Sequence, residues 1–383
     1  MIYLDHGATS PVAPQVLAAM LPYFSQNYGN ASSLHSAGAL AREAVEAARD
    51  IVAAALGVSP DEIYFTSGGT ESNNLAIKGV ALAAPPGKNL ILCSAVEHHA
   101  VLDACSSLRS LGFEVQTMPV DAEGRVDLQK ASEMLRPETL LVSLMHGNNE
   151  VGTLQPVKQL FSICREKGIV THCDAVQSFG RISVNADVLQ ADLISISAHK
   201  FNGPKGSGAL YIRKGTCLSP LISGGGQESG RRPGTINVPG VVGMGVAVEL
   251  SMLGMPSESL RTEALRNILI EKVLYRVPGS RLCGSRFERL PNNAHFLFPG
   301  LEGETLALEL DVAGIYASAG SACSAGSKEA SHVLLAMGFP ANLARGALRL
   351  TLGPENTQEE ALFTAEQIAQ AVDKLRVLMR KEI

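Results

Sequence analysis

Ala191-Asp192-Leu193-Ile194-Ser195-Ile196-Ser197-Ala198-His199-Lys200-Phe201-Asn202-Gly203-Pro204-Lys205-Gly206 is the stretch from which the fold can be read. The run Leu193 to Ile196 reads as a buried strand that stops in small and polar residues and delivers one lysine before a Gly/Pro turn. Partial desolvation at the mouth of an apolar sheet frees an amine's lone pair for Schiff-base formation with a carbonyl. Pyridoxal phosphate uses a lysine so placed, and it also needs an acidic partner for its pyridinium nitrogen and a cradle for its phosphate. The ordinary alternative is a strand-end lysine that reaches water.

Outward from this strand, the periodicity switches between strand and helix. Apolar runs at Glu62-Thr66, Asn89-Ser94, Glu114-Met118, Thr139-His146, Ile169-Asp174, Leu193-Ser197 and Ala209-Arg213 are separated mostly by helical patterns or turn clusters. That alternation predicts an α/β architecture with a mainly parallel sheet covered on both faces, whose ligands bind at the carboxyl ends of strands. Before it lie a short strand, a Pro-started helix from about Pro14, a polar loop Asn27 to Ser33, and an amphipathic helix from Ala37 to about Leu56 stopped by Gly57. After the Gly-rich loop Ser223 to Thr235, a helix from about Val238 to Leu253 and a second from Ser257 to Arg276 are expected. A smaller α+β domain follows, with strands Asn293-Phe298 and Leu348-Leu352, a helix Glu302-Leu310 and a terminal helix opened by a Thr357/Glu360 capping box. The expected division is 15–256 for the large domain, and 1–14 with 257–383 for the small one.

Four further motifs carry chemistry. Ser67-Gly68-Gly69-Thr70 joins a strand to a helix, where bare amides, a hydroxyl and the helix N-terminus favour phosphate; most such turns only connect elements. Asp174 ends a strand and suits the pyridinium, although a strand-end Asp is often a helix N-cap. Glu97-His98-His99 follows another strand; one imidazole there could stack on a pyridine ring and move protons, or simply cap a helix. Arg349 interrupts the apolar run Leu348 to Leu352, and its fork matches a substrate carboxylate or an internal salt bridge.

Cys323 lies in Ala319 to Ser327, a run of small residues with little to anchor it by packing, so its thiol should be reachable. A reachable nucleophilic cysteine beside pyridoxal phosphate suggests sulfur transfer. The other cysteines fall mostly in strand or helix patterns and read as small buried hydrophobes. Seven in all, widely spread and without a C-x-x-C pair, they fit reduced thiols and no intrinsic metal site.

Composition excludes other classes. A net charge of -5 offers no basic field for nucleic acid. The N-terminus lacks a signal peptide, and the apolar stretch Gly240 to Met255 is too short and interrupted to span a bilayer, so a cytoplasmic location without a membrane partner is expected.

These residues resemble the cysteine desulfurases of the class V, fold type I pyridoxal-phosphate aminotransferase superfamily. The matching segments are Tyr3-Leu4-Asp5, Asn27 to His35, Thr66 to Asn74, Glu97-His98, His146 to Gly152, Asp174 to Gln177, Ser197 to Gly208, Arg231 to Thr235, Gly320 to Ser324 and Arg349 to Gly353. They run in the family's order over nearly the whole chain. The Cys323 loop resembles the long-loop subgroup that serves iron-sulfur cluster assembly. His6-Gly7, Ala31 and Ala198 depart from the family's more frequent Asn-Ala, Pro and Gly.

The resemblance implies that Lys200 carries pyridoxal 5'-phosphate, Asp174 pairs with its ring nitrogen, and Gln177 bonds its phenolic oxygen. His98 would stack on the ring. Gly69, Thr70, Ser197 and His199 would hold the phosphate, with Thr235 contributing across a homodimer. Asn149, also beside the cofactor, would bind the substrate carboxylate with Arg349, and Asn30 lies close by. L-cysteine would leave as L-alanine, with a persulfide on Cys323 for an iron-sulfur scaffold or another sulfur-acceptor protein; with such a partner Cys323 would also be a transient iron-sulfur ligand. A selenocysteine lyase or class V aminotransferase is the nearest alternative, and the latter would not need Cys323. A non-catalytic scaffold would have no need of Lys200, Asp174, His98 and Cys323 together.

Overall fold

The computed structural model describes residues 1–320 and 330–381. The chain opens with β1 (Ile2–Tyr3). Seven strands then build the main sheet: β2 (Ile63–Thr66), β3 (Leu90–Ser94), β4 (Glu114–Met118), β5 (Thr139–Ser143), β6 (Val170–Asp174), β7 (Leu193–Ser197) and β8 (Gly208–Ile212). Their order is β2-β8-β7-β6-β5-β3-β4. Only β8 runs against its neighbours, so the sheet is mainly parallel as expected.

Strands β3, β5 and β7 are buried along their whole length, the consequence of helices on both faces, whereas the edge strand β4 has exposed positions. One face packs on the helices Ser36–Leu56 and Val238–Arg276 through Val45, Val52, Val241 and Val248. The other packs on Gly69–Leu82 and His99–Ser107 through Leu75, Ile77, Val101 and Cys105. Gly57, at φ 71°, ends the first of these helices in the left-handed conformation that glycine accepts without a Cβ penalty.

A second core lies around β10 (Asn293–Leu297), which pairs antiparallel with β9 (Arg281–Leu282) on one side and β12 (Ala347–Thr351) on the other. Leu265, Leu269, Val273, Phe296, Leu306, Leu350 and Ile368 fill it, together with Leu4 from the start of the chain. There β1 pairs in parallel with β11 (Ile315–Tyr316). The Thr357/Glu360 capping box is present: the Glu360 carboxylate accepts from the Thr357 amide and the Thr357 hydroxyl from the Glu360 amide.

One expectation is corrected. Val238–Arg276 is a single helix with Pro256 inside it, in place of two helices separated near residue 255. Its first half is buried in the sheet's core and its second half in the small core, so packing at both ends carries the helix across the proline. By length and composition this helix alone, among the described residues, could cross a membrane, but side chains along it such as Val241, Met244, Val248, Leu265, Leu269 and Val273 fill the two cores.

Candidate active site

The carboxyl ends of β2, β6 and β7 meet the segment that follows β1. This segment runs beside β12, where Asp5 forms a parallel bridge with Thr351, and then crosses to the turn after β7. There the Ser10 amide and hydroxyl both donate to the His199 carbonyl, at 2.9 and 2.8 Å. Lys200 sits beneath this strap. Its Nζ donates to the carbonyls of Gly7 at 2.6 Å and Ala8 at 2.8 Å. Gln177 Nε2 donates to the same Gly7 oxygen at 2.9 Å, which brings two of the expected cofactor residues to one point.

Asp174 is buried at the end of β6. One carboxylate oxygen accepts from Asn73 Nδ2 at 2.7 Å, the other from the Val176 amide at 3.0 Å. Beside it, Gly68 (φ 148°) leads into the helix Gly69–Leu82. A Cβ on Gly69 would lie 2.7 Å from Val176 Cγ2 and 3.6 Å from Ser197 Cβ, so the end of β7, the turn after β6 and the first helical turn close on one another. The amides of that turn, with the Thr70 hydroxyl, make an anion cradle. The Glu71 carboxylate braces it, accepting from the Ser67 amide at 2.7 Å and from Arg232 Nε at 2.7 Å.

His98 caps the helix His99–Ser107, its Nδ1 accepting from the Ala100 amide at 3.0 Å. Burial lowers its pKa, opposed by Asp174 and reinforced by Lys200, so the ring is neutral with its proton on Nε2. The capping role read for a histidine here is thus real. His99 is half-exposed against the His332 ring. His199 lies on the strap side, its Nδ1 3.2 Å from Thr9 Oγ1, and burial followed by Lys200 lowers it to about 4.

Arg349, on β12, is buried and meets both partners considered for it. Nη2 donates to Asp5 Oδ1 at 2.9 Å and Nη1 to the Asn149 carbonyl at 3.0 Å. The internal salt bridge therefore exists, yet Arg349 Nε and Asn149 Oδ1 are buried without a partner. An unsatisfied donor and an unsatisfied acceptor on two contacting residues are what a polar ligand would complete. Asn30 is exposed, its Oδ1 accepting from the Ser32 amide, and Thr235 is exposed in the single chain. Cys323 lies outside the described residues. The backbone on either side of its segment is anchored at this wall: Ser318 bridges Arg349, and Ser331 Oγ donates to Glu150 Oε2.

A buried carboxylate at a strand end, a lysine at the next strand end and a helical anion cradle between them form a site that can hold a phosphorylated pyridine aldehyde. Comparison with known proteins supplies the family. The model for Aminotransferase class-V matches residues 2–362. Cysteine desulfurase IscS of Dictyoglomus turgidum is 50% identical over 377 residues, which cover 98% of this chain and 96% of that protein. The chain belongs to the cysteine desulfurases of the class-V aminotransferase family. A solved structure named NifS-like protein superposes on this desulfurase with a TM-score of 0.91 at 40% identity, covering 97% of this chain and 99% of that one. A second, described as SspA in complex with cysteine, gives 0.82 at 38% identity, covering 93% and 100%.

Several groups of the desulfurase site carried no role in the sequence reading. Asn73 orients Asp174, Asp5 pairs with Arg349, and the Gly7 carbonyl receives Lys200 and Gln177. Glu97 is wholly buried, with Oε1 accepting from the Met145 amide at 2.7 Å and Oε2 without a partner. Burial, then the nearby Asp174 charge, pushes its pKa well above the ordinary carboxyl value. Asn73 sits in the polar run Thr70 to Asn74 and Glu97 beside two histidines, so neither stood out from its neighbours in the sequence. For Gly7 no side chain exists to give a signal.

Proposed function

We propose that the chain removes sulfur from L-cysteine with pyridoxal 5'-phosphate bound at Lys200, releasing L-alanine and leaving a persulfide on Cys323. The observation that carries this reading is that Lys200 and Gln177 meet at the Gly7 carbonyl while the Gly69 turn closes on Val176 and Ser197 next to Asp174, in a chain whose relatives are named cysteine desulfurases. The SspA structure is itself a complex with cysteine.

The residues fit the cofactor. Asp174, oriented by Asn73, would hold the pyridinium nitrogen, and Gln177 the phenolic oxygen. Gly69, Thr70, Ser197 and His199 would take the phosphate, with Thr235 of a second copy. When bound, pyridoxal phosphate withdraws electrons from the substrate Cα, which acidifies its C–H bond and makes the Cβ–S bond cleavable.

The chain's own groups do the rest. Arg349 Nε and the Asn149 side chain bind the substrate carboxylate, with Asn30 beside them. Lys200 Nζ takes the Cα proton, and neutral His98 exchanges protons through Nε2. The Cys323 thiolate attacks the substrate sulfur, forming an S–S bond as the Cβ–S bond breaks. The electron pair of the broken bond stays on the substrate carbons, and protonation there gives L-alanine. The persulfide then passes to an iron-sulfur scaffold or another acceptor protein.

A homodimer in the cytoplasm suits this reading. Leu17, Leu21, Phe24, Tyr28 and Leu34 expose apolar surface within one segment, which a second copy would cover. Residues 15–256 act as the large domain and 1–14 with 257–383 as the small one, the boundary falling inside the helix that joins them. The test is borohydride reduction of the purified protein followed by peptide mass spectrometry, alongside alanine release from L-cysteine. Modification of the Lys200 peptide together with alanine release supports the reading; an unmodified Lys200 or no alanine overturns it.

A further inference from the structure

Behind the Lys200 turn, on the side away from Gly69 and Asp174, lies a cavity of about 580 Å³. None of Gly69, His98, Asp174 or Ser197 lines it. It is set where the helix Val238–Arg276 passes from one core to the other. Val12, Phe201, Leu250 and Met255 give it an apolar wall, and its size is that of a small-molecule site.

Its polar groups have two signs. Arg181 lines it, with Nη2 donating to the carbonyls of Lys200 at 2.9 Å and His6 at 3.4 Å. Arg181 Nε is buried without a partner, and Nη1 makes no hydrogen bond to the described residues. Glu258 and Glu355 also line the cavity. Glu258 faces the Arg181 charge, but its hydrogen bonds come from Arg261, whose Nε and Nη2 donate to it at 2.9 and 2.6 Å, and from the Thr262 hydroxyl. Glu355, on the exposed rim, feels the Arg261 charge and has His6 Nε2 at 3.5 Å, a ring that burial keeps neutral by lowering it to about 4, but no guanidinium donates a hydrogen bond to it among the described residues. A plain anion drawn to Arg181 would meet the Glu355 charge, and a plain cation drawn to Glu355 would meet Arg181. A molecule carrying both charges on one short frame satisfies each.

We propose that this cavity is a second site for a free apolar α-amino acid, its carboxylate on Arg181, its ammonium on Glu355 and its side chain against Leu250 and Phe201. Lys200 lines this cavity as well, and Arg181 donates to its carbonyl, while the Lys200 amine is turned to the Gly7 and Ala8 carbonyls.

The probe is N,N-dimethyl-L-leucine, whose tertiary amine forms no Schiff base, titrated calorimetrically into the holoenzyme. Saturable binding is expected with the cofactor's visible band unchanged. Isocaproate and isoamylamine, each lacking one charge, should bind roughly tenfold more weakly or worse. Arg181→Gln and Glu355→Gln should each weaken the probe by a similar factor. Arg181 is half-buried with its Nε enclosed, so if its variant does not fold, the rim variant Glu355→Gln together with the cavity-filling Leu250→Trp decides. No binding, equal binding of a singly charged analogue, a shifted visible band, or indifference to Glu355→Gln and Leu250→Trp overturns the proposal.

Discussion

Lys200 Nζ stands 2.6 Å from the carbonyl oxygen of Gly7, a residue 193 positions away in the sequence. The strap that carries Gly7 is fixed from the other side by β12, since the Gly7 amide donates to Thr351 Oγ1 at 2.6 Å. A Cβ on Gly7 would lie 3.0 Å from Thr351 Cγ2 and 3.1 Å from its Oγ1. Gly7→Val should therefore lower stability by about 1–3 kcal/mol through overpacking, and the variant should lose cofactor more readily on dialysis. Gly7→Ala, with the contact only a few tenths of an ångström tight, should stay close to wild type. Urea midpoints of the two variants check the contrast.

Glu97 sets a pH dependence. Its native pKa lies well above the value in the unfolded chain, because burial and the Asp174 charge oppose ionisation. The native state therefore keeps a proton that the unfolded state releases. The stability this group contributes is complete below about pH 4.5 and falls as pH rises toward the native pKa. Glu97→Gln, which keeps the shape without the proton, should be as stable as wild type near pH 4.5 and more stable at pH 8. Equal loss of stability in both proteins between those values would assign the alkaline slope to other groups.

The Asn73–Asp174 bond is buried, and removing its donor leaves one carboxylate oxygen with no protein partner. Asn73→Ala should destabilise the apoprotein by about 1.5–3 kcal/mol, the range for hydrogen bonds to charged groups. Pyridoxal phosphate should also dissociate from it faster, as read by the decay of the visible band after dilution.

The Gly-rich loop is locked by a buried ion pair. Arg49 Nη2 lies 2.8 Å from Glu228 Oε1, and Glu228 Oε2 accepts from the Phe65 amide at 2.8 Å. Glu228 and Ser229 are held at φ 49° and 54°, a conformation that costs a non-glycine residue energy. Glu228→Ala should cost about 1.5–3 kcal/mol, since the Phe65 amide loses its acceptor and Arg49 loses its buried partner while keeping Glu46 and the Ile63 carbonyl, and Arg49→Met with Glu228→Leu should recover part of it. Ser229→Gly should stabilise the protein by roughly 1 kcal/mol. Chemical denaturation of the three variants measures each difference.

Much of this was legible in the sequence. β4 and β7 begin and end where the apolar runs do, and Gly57 and the Thr357/Glu360 box end and start helices as their chemistry dictates. Lys200, Asp174 and the Gly69 turn announced themselves because strand ends with unusual residues are local signals. Pro256 misled because its effect is local while the packing that overrides it lies at both ends of a long helix. The Asp5–Arg349 pair could not be read, since its members are 344 residues apart and each has other plausible partners. Lys200 and Gln177 meet at a backbone carbonyl, which has no sequence signature.

The central claim is that sulfur leaves L-cysteine through Cys323. The direct measurement is a single turnover of the holoenzyme with L-cysteine, followed by peptide mass spectrometry of the Cys323 segment and quantification of alanine, for wild type and Cys323→Ser. The account predicts one added sulfur on Cys323 with matching alanine in the wild type, and neither in the variant. Alanine formed at the wild-type rate by Cys323→Ser, with no sulfur on the wild-type Cys323 peptide, would contradict it.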